Sequence, residues 1–426
     1  MKRFFLLAFV LFSLSISAQH LNLSLGRSYS SIINKEIYVN ESEVHTSFKP
    51  IIKSNLNFSS DSIIENIYQT DYKNWFLRKT FSEHFIVLEG DDYKITASPI
   101  INFSKGKELG ESKSTFENTR GYIIEGNLGK TISFATSFAE NQAIFPNYLD
   151  AYTRDKNIVP GQGYARDFKD LGYDYAMSSG YVTYRANKMF AVQFGHGKNF
   201  IGDGYRSLLL SDNTFNYPYL KVQTTFWKVQ YTNLYTEFMD INYFSTHGID
   251  NNDQIGYPKK YMSAHYLSIN ATKRFNLSLF ESVVWRMNHA LGSGGFDVNY
   301  LNPVAMLRPI EFSVNSPDNV LVGINTKYKT SNYSYIYGQF VLDEFSINDL
   351  REKNGFWANK IGYQLGYKVF EPFKIENLIL QTEYNYVRPY TYAHHNPEQN
   401  YAHYNQPLAH PLGANFSELL IIANYK

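Results

Sequence analysis

"KIGYQLGYKVFEPFKIENLILQTEYNYV", Lys360 to Val387, holds two runs of strict alternation joined by a short polar link. In the first run Ile361, Tyr363, Leu365, Tyr367 and Val369 share one face, and Lys360, Gly362, Gln364, Gly366 and Lys368 share the other. In the second, Leu378, Leu380, Thr382, Tyr384 and Tyr386 oppose Gln381, Glu383 and Asn385. A period of two with one apolar face marks a β-strand. Alternation alone does not decide whether the apolar face meets a protein core or lipid.

The same period runs through most of the chain. Val320, Val322, Ile324, Thr326 and Tyr328 oppose Gly323, Asn325 and Lys327; Tyr122, Ile124 and Leu128 oppose Glu125 and Asn127. It predicts strands near 93–104, 118–128, 131–141, 176–186, 189–196, 219–225, 228–240, 261–271, 276–286, 318–329, 333–343, 357–369, 376–388 and 416–426. The connections alternate long and short, so every long loop falls at one end. Outer-membrane barrels have this asymmetry, with short periplasmic turns and long extracellular loops. Most predicted strands are also long enough to cross a bilayer at a tilt, whereas soluble sandwiches favour strands of about 5–6 residues. A secreted sandwich or propeller is the alternative. No repeat of blade length supports a propeller, and closing the sheet removes the edges that so many long strands would expose. The expected fold class is therefore all-β: an antiparallel transmembrane outer-membrane β-barrel with about 14 visible strands, preceded by a small N-terminal periplasmic helical region.

Composition fits. The chain has 426 residues, and aromatics make up 17% of them, with 36 Tyr and 32 Phe. That suits a β protein with membrane-facing girdles. A net charge of +1 excludes a strong field for nucleic acid. The absence of Cys excludes disulfides, thiolate metal sites and a cysteine nucleophile.

Lys2 and Arg3 precede an apolar run, Phe4 to Leu14, and then Ser15-Ile16-Ser17-Ala18. This reads as a signal peptide over 1–18, with cleavage after Ala18. Residues 19–91 form the expected periplasmic region, with short helices at Ser28–Asn34 and Ser60–Tyr68 and a short strand at Phe85–Leu88. The barrel is assigned to 92–426. Its last strand ends at Lys426 after Tyr425, where such barrels commonly finish on an aromatic residue. Two alternatives stand: Tyr425 takes that role, or the chain is cut short of its closing strands.

The third long loop lies within "FGHGKNFIGDGYRSLLLSDNTFNYPYL", Phe194 to Leu220. A dinucleotide fingerprint fails, because Phe200 and Ser207 stand where a third glycine would be needed. A phosphate loop fails at Gly197-Lys198-Asn199. The glycines permit close backbone approach, and Leu208-Leu209-Leu210 is too apolar for water. The expectation is an inward-folded, constricting loop carrying Lys198, Asp203 and Arg206. These charges either pair with interior groups and fix the loop, or contact a polar or anionic glycan.

The run Phe194-Gly195, Gly202-x-Gly204, Ser207-Leu208-Leu209-Leu210-Ser211-x-Asn213 and Tyr217-Pro218-Tyr219-Leu220 resembles the signature of the capsule-assembly Wzi family. Within that family it is most similar to the branch of gliding Bacteroidota that includes the gliding motility protein RemB. Phe226 to Tyr235 and Pro407 to Phe416 are similar to the same branch. The resemblance implies an outer-membrane barrel of about 16–18 strands with a periplasmic helical region. It implies a lectin-like surface protein, loops exposed, that attaches or organises exopolysaccharide or capsule and is linked to motility. It adds Asn213 and Tyr217 to Lys198, Asp203 and Arg206 as candidates for glycan binding or loop constriction. It implies surface polysaccharide and outer-membrane lipid as partners, no cofactor, and a family pattern that continues past residue 426.

His394, His395, His403 and His410 cluster in the last long loop beside Glu398. They form no standard metal motif, and a hydrogen-bonded loop with Tyr401, Tyr404 and Asn405 is the favoured reading. Asp343-Glu344 and Asp349 with Glu352 invite a glycosidase reading that sequence cannot support. The functional expectation is a non-enzymatic polysaccharide-binding barrel. The alternative is a diffusion channel or transporter, with Lys360, Lys368, Gln364, Gln381 and Glu383 lining a pore.

Overall fold

The computed structural model describes residues 20–40, 43–68, 72–111, 113–241, 257–286, 288–289, 292–293, 296–303, 307, 318–343 and 360–425. The signal-peptide reading, over 1–18, lies outside the described residues. So do Glu344, Asp349 and Glu352.

The chain builds one 16-stranded antiparallel sheet. Its main strands are β1 (Ile86–Gly90), β2 (Tyr93–Lys107), β3 (Ser114–Leu128), β4 (Ile132–Ile144), β5 (Gly172–Tyr184), β6 (Phe190–Gly197), β7 (Tyr217–Phe226) and β8 (Val229–Met239). They continue with β9 (Lys259–Asn270), β10 (Phe275–Arg286), β11 (Asn319–Ser331), β12 (Ser334–Leu342), β13 (Ile361–Phe370), β14 (Leu378–Val387) and β15 (Phe416–Tyr425). Each strand pairs with its neighbour in sequence, and Arg166–Phe168 adds a short strand to β5. Every strand predicted from alternation is present, shifted by a few residues at most. Among the described residues no pairing joins β1 to β15. The sheet begins at Ile86, earlier than residue 92, because Asp91-Asp92 turns β1 back onto β2.

The wall is apolar outside and polar inside. On β13 Tyr363, Leu365 and Tyr367 are exposed, while Gln364 and Lys368 are buried. On β6 Phe190, Val192 and Phe194 are exposed, while Gln193 is buried. On β14 Gln381, Glu383 and Asn385 are buried. A water-soluble β protein has the opposite arrangement. Inward polar faces with outward apolar faces are what a wall surrounded by hydrocarbon requires. No described helix is long and apolar enough to cross a membrane.

The short turns lie at one end. Several need left-handed backbone, at Gly129 (φ 60), Trp227 (φ 54) and Asn377 (φ 61). The long connections lie at the other end, and one contains α4 of the helices α1 (Arg27–Asn40), α2 (Ser60–Tyr68), α3 (Trp75–Phe81) and α4 (Asn147–Lys156). Asn74 caps α3 by accepting from the amides of Phe76 and Leu77. The hydroxyl of Ser59 accepts from Ser62 N–H at the start of α2.

Residues 20–40 and 43–68 pack across the interior at the short-turn end. His20 bonds the Lys130 carbonyl, and Arg185 reaches Ser54 and Asn55. His45 bonds Ser268, Tyr38 donates to the Ser334 carbonyl, and Lys35 pairs with Glu371. Ile33, Ile37, Leu23, Ile51 and Leu56 give this segment a small core of its own.

Candidate functional site

The inward loop starts where β6 ends. Phe200–Ile201 leaves the wall and pairs antiparallel with Phe48–Lys49 of the N-terminal segment. Gly202 N–H then donates to the Ser47 carbonyl at 2.7 Å. Gly202 has φ 147, and a Cβ there would meet Gln339 Nε2 at 2.7 Å. At Gly204 a Cβ would meet Glu383 Oε2 at 2.5 Å. Glycine is required at both places by backbone geometry or close approach.

Three inward side chains of the wall hold this backbone. Gln339 accepts from Leu208 N–H at 2.7 Å and donates to the Ile201 carbonyl at 2.9 Å. Gln364 donates to the Arg206 carbonyl at 3.1 Å. Glu383 accepts from the amides of Tyr205 and Arg206, and from the Tyr337 hydroxyl and Asn385. Gln364 and Glu383 do face inward, as a pore reading requires, but they bind the loop. Lys360 likewise donates to the Ala393 carbonyl.

Leu208, Leu209 and Leu210 are fully buried, against Phe48, Tyr266, Phe280, Val284, Leu321 and Val341. Burying each contributes about 1.5–3 kcal/mol. The last long loop covers them: Tyr392 donates to the Leu208 carbonyl, and Ser211 N–H donates to the Leu408 carbonyl. The interior is thus filled in three layers: the N-terminal segment, the 198–216 loop, and the 388–415 loop.

The five candidate residues divide into three groups. Lys198, Arg206 and Asn213 line one cavity of about 710 Å³ between the inward loop, β3–β6 and Asn22–Arg27. Lys198 donates to the Gly161 carbonyl at 2.7 Å, and burial lowers its ammonium pKa. Arg206 pairs with Glu418 at 3.3 Å. Asn213 reaches the Pro407 carbonyl at 3.5 Å. Asp203 lies on a different, smaller cavity, bonded to Thr46, Lys327 and Asn325. Burial alone would raise its carboxyl, but Lys327 and Lys49 hold it below the ordinary range. Tyr217 is fully buried, lines neither cavity and accepts from Asn199 N–H. Sequence reasoning missed His196, Tyr205 and Asn216, which also line the larger cavity, together with the Tyr181 and Tyr219 rings. His196, Tyr205, Asn216 and Tyr219 lie within the glycine-rich run, but strand alternation does not mark His196, Tyr205 or Asn216 as inward.

The histidines do not assemble. His403 accepts from Met239 N–H and bonds the Asn216 carbonyl; His410 bonds Glu418; His394 accepts from Asn396 N–H. Among the described residues no group of three His, Asp or Glu is placed to hold a metal ion.

This geometry matches a known architecture. Wzi of Escherichia coli, an outer-membrane protein involved in group 1 capsule assembly and a carbohydrate-binding β-barrel, aligns with a TM-score of 0.51. The alignment spans 92% of this chain and 79% of Wzi, at 12% identity. The fold is that of an outer-membrane β-barrel. Salmonella typhi OmpF aligns at a TM-score of 0.32 and 9% identity, over 80% of this chain and 99% of that one. The anion-selective porin of Comamonas acidovorans aligns at 0.31 and 9%, over 70% and 89%. No family model matches the chain, and no curated protein matches its sequence.

Proposed function

We propose that this chain is a non-enzymatic outer-membrane protein that binds or organises surface polysaccharide through the cavity beside the inward loop. One observation carries the reading. A sizeable recess inside the barrel combines Lys198, Arg206, Asn213 and Asn216 with the Tyr205 and Tyr219 rings. Amides and cations bind sugar hydroxyls and carboxylates, and aromatic faces stack on sugar rings. The carbohydrate-binding character of Wzi supports the same reading. In it residues 1–18 serve as the signal peptide, residues 19–85 lie toward the periplasm, and the long loops face the outside. The finer likeness to the RemB branch extends the proposal to a role in gliding motility.

The test uses cells that make the full chain or its Lys198→Ala, Arg206→Ala and Asn213→Ala variants. Polysaccharide retained at the surface is measured beside barrel insertion. The reading requires inserted variants to retain less polymer. Equal retention by the triple variant would sink it.

A further inference from the structure

A second, smaller cavity of about 160 Å³ lies between α1, the wall and the Asp203–Tyr205 turn of the inward loop. It has room for about five water molecules or one small solute. Its lining is cationic. Arg27, Lys49, Lys327, Lys329 and Lys368 face Asp203 and Asp212. Adding Glu383, whose charge acts on Lys368, leaves five cations against three carboxylates, an excess of two.

Four of the cations have partners within the chain. Lys327 pairs with Asp203 at 3.2 Å, and Arg27 lies 3.7 Å from Asp212 with its plane over the Tyr205 ring. Lys49 donates to the Gly202 carbonyl, and Lys329 donates to the Tyr38 carbonyl. Lys368 differs. It is only 8% exposed, it lines the cavity, and its ammonium has no hydrogen-bond acceptor among the described residues. Its ammonium lies over the Tyr335 ring, 5.8 Å from the centroid. A buried ammonium without a partner is costly, and a protein that keeps one leaves a place for a counter-charge.

We propose that this cavity binds a small oxyanion, a phosphate or carboxylate group, with Lys368 as its main ligand and Lys49 and Arg27 as the flanking charges. The two sources of that chemistry are free inorganic phosphate and the carboxylate of an acidic sugar. Arg27, Tyr205 and Asp212 also line the larger cavity, so the two chambers adjoin. The site stands whether or not the larger cavity takes polysaccharide.

The experiment follows Tm of the full chain in detergent micelles. Sodium phosphate and sodium glucuronate are titrated separately against sodium chloride at matched ionic strength. A saturable rise with either oxyanion, absent with chloride, is expected. A response to phosphate alone identifies the inorganic anion; a response to glucuronate identifies a sugar acid. Lys368→Met is expected to weaken the response at least tenfold and to raise Tm without ligand, because it removes an unpaired buried charge. Arg27→Gln, on α1 and off the wall, is expected to weaken it less. Absence of a saturable rise in the wild-type chain overturns the proposal by itself, as does an undiminished response in Lys368→Met.

Discussion

The carboxylate of Glu383 on the wall accepts the backbone amide of Tyr205 at 2.7 Å, across 178 positions of sequence. The neighbouring amide of Arg206 donates to the other oxygen at 3.1 Å. One side chain thus fixes two successive peptide groups of a loop that would otherwise be free to leave the interior.

Glu383→Gln tests that clamp. A glutamine keeps the volume but presents one NH₂ donor to a pair of donors. Hydrogen bonds to a charged group are worth about 1.5–3 kcal/mol each. The variant is expected to lose about that much stability in denaturant titration. Limited proteolysis should cut within 198–216 sooner than in the wild-type chain. An unchanged cleavage rate would show that the clamp does not hold the loop.

Leu209→Ala addresses the apolar half of the same anchor. Leu209 is fully buried and lies against Gly323 on β11, where its Cδ2 leaves no room for an added Cβ. Truncating a buried leucine costs about 2–5 kcal/mol. Equilibrium unfolding in detergent measures the loss, and a cost below about 1 kcal/mol would mean that the site is not tightly packed.

Acid should loosen the 388–415 loop. Burial pushes His403 down to about 3 and His410 down to about 4, both in the 388–415 loop. In the unfolded chain both titrate near about 6.5. As the pH falls, the unfolded state therefore takes up protons first. Their contribution is full above about 6.5 and is lost as the pH falls through the folded values. Tm is expected to decline between about pH 6.5 and 5, above most carboxylate titrations. The His403→Gln, His410→Gln double variant should show a shallower decline in that window. A flat wild-type profile there contradicts the assignment.

Ion flow separates the two functional readings. Three stacked layers predict little or no current through the wild-type protein in planar bilayers. Glu383→Gln combined with Gln339→Leu, which removes most wall contacts to the loop, is expected to produce intermittent openings. A large, steady wild-type current would favour the channel.

Much of this architecture was legible from local pattern. Alternation at Ile361–Phe370 and Leu378–Val387 is a property of adjacent residues, so it survives without a structure. The burial of Leu208–Leu210 was legible for a similar reason: three consecutive leucines have no comfortable place in water. The pairing of Phe48–Lys49 with Phe200–Ile201 was not, because two-residue contacts across such a separation leave no period to read. Nor were the roles of Gln339 and Glu383. A carboxylate at an inward position signals a partner, yet the partner here is backbone, which carries no sequence mark. Asp203 and Arg206 line different cavities, on either side of the turn at Gly204.

The short ladder between Phe48–Lys49 and Phe200–Ile201 has a mechanical meaning. It splices the segment at the short-turn end to a loop arriving from the opposite end, while Glu383 and Gln339 rivet that loop to the staves. Tension applied to the long loops therefore passes through the splice to the far side and spreads into the surrounding wall, instead of unravelling one strand.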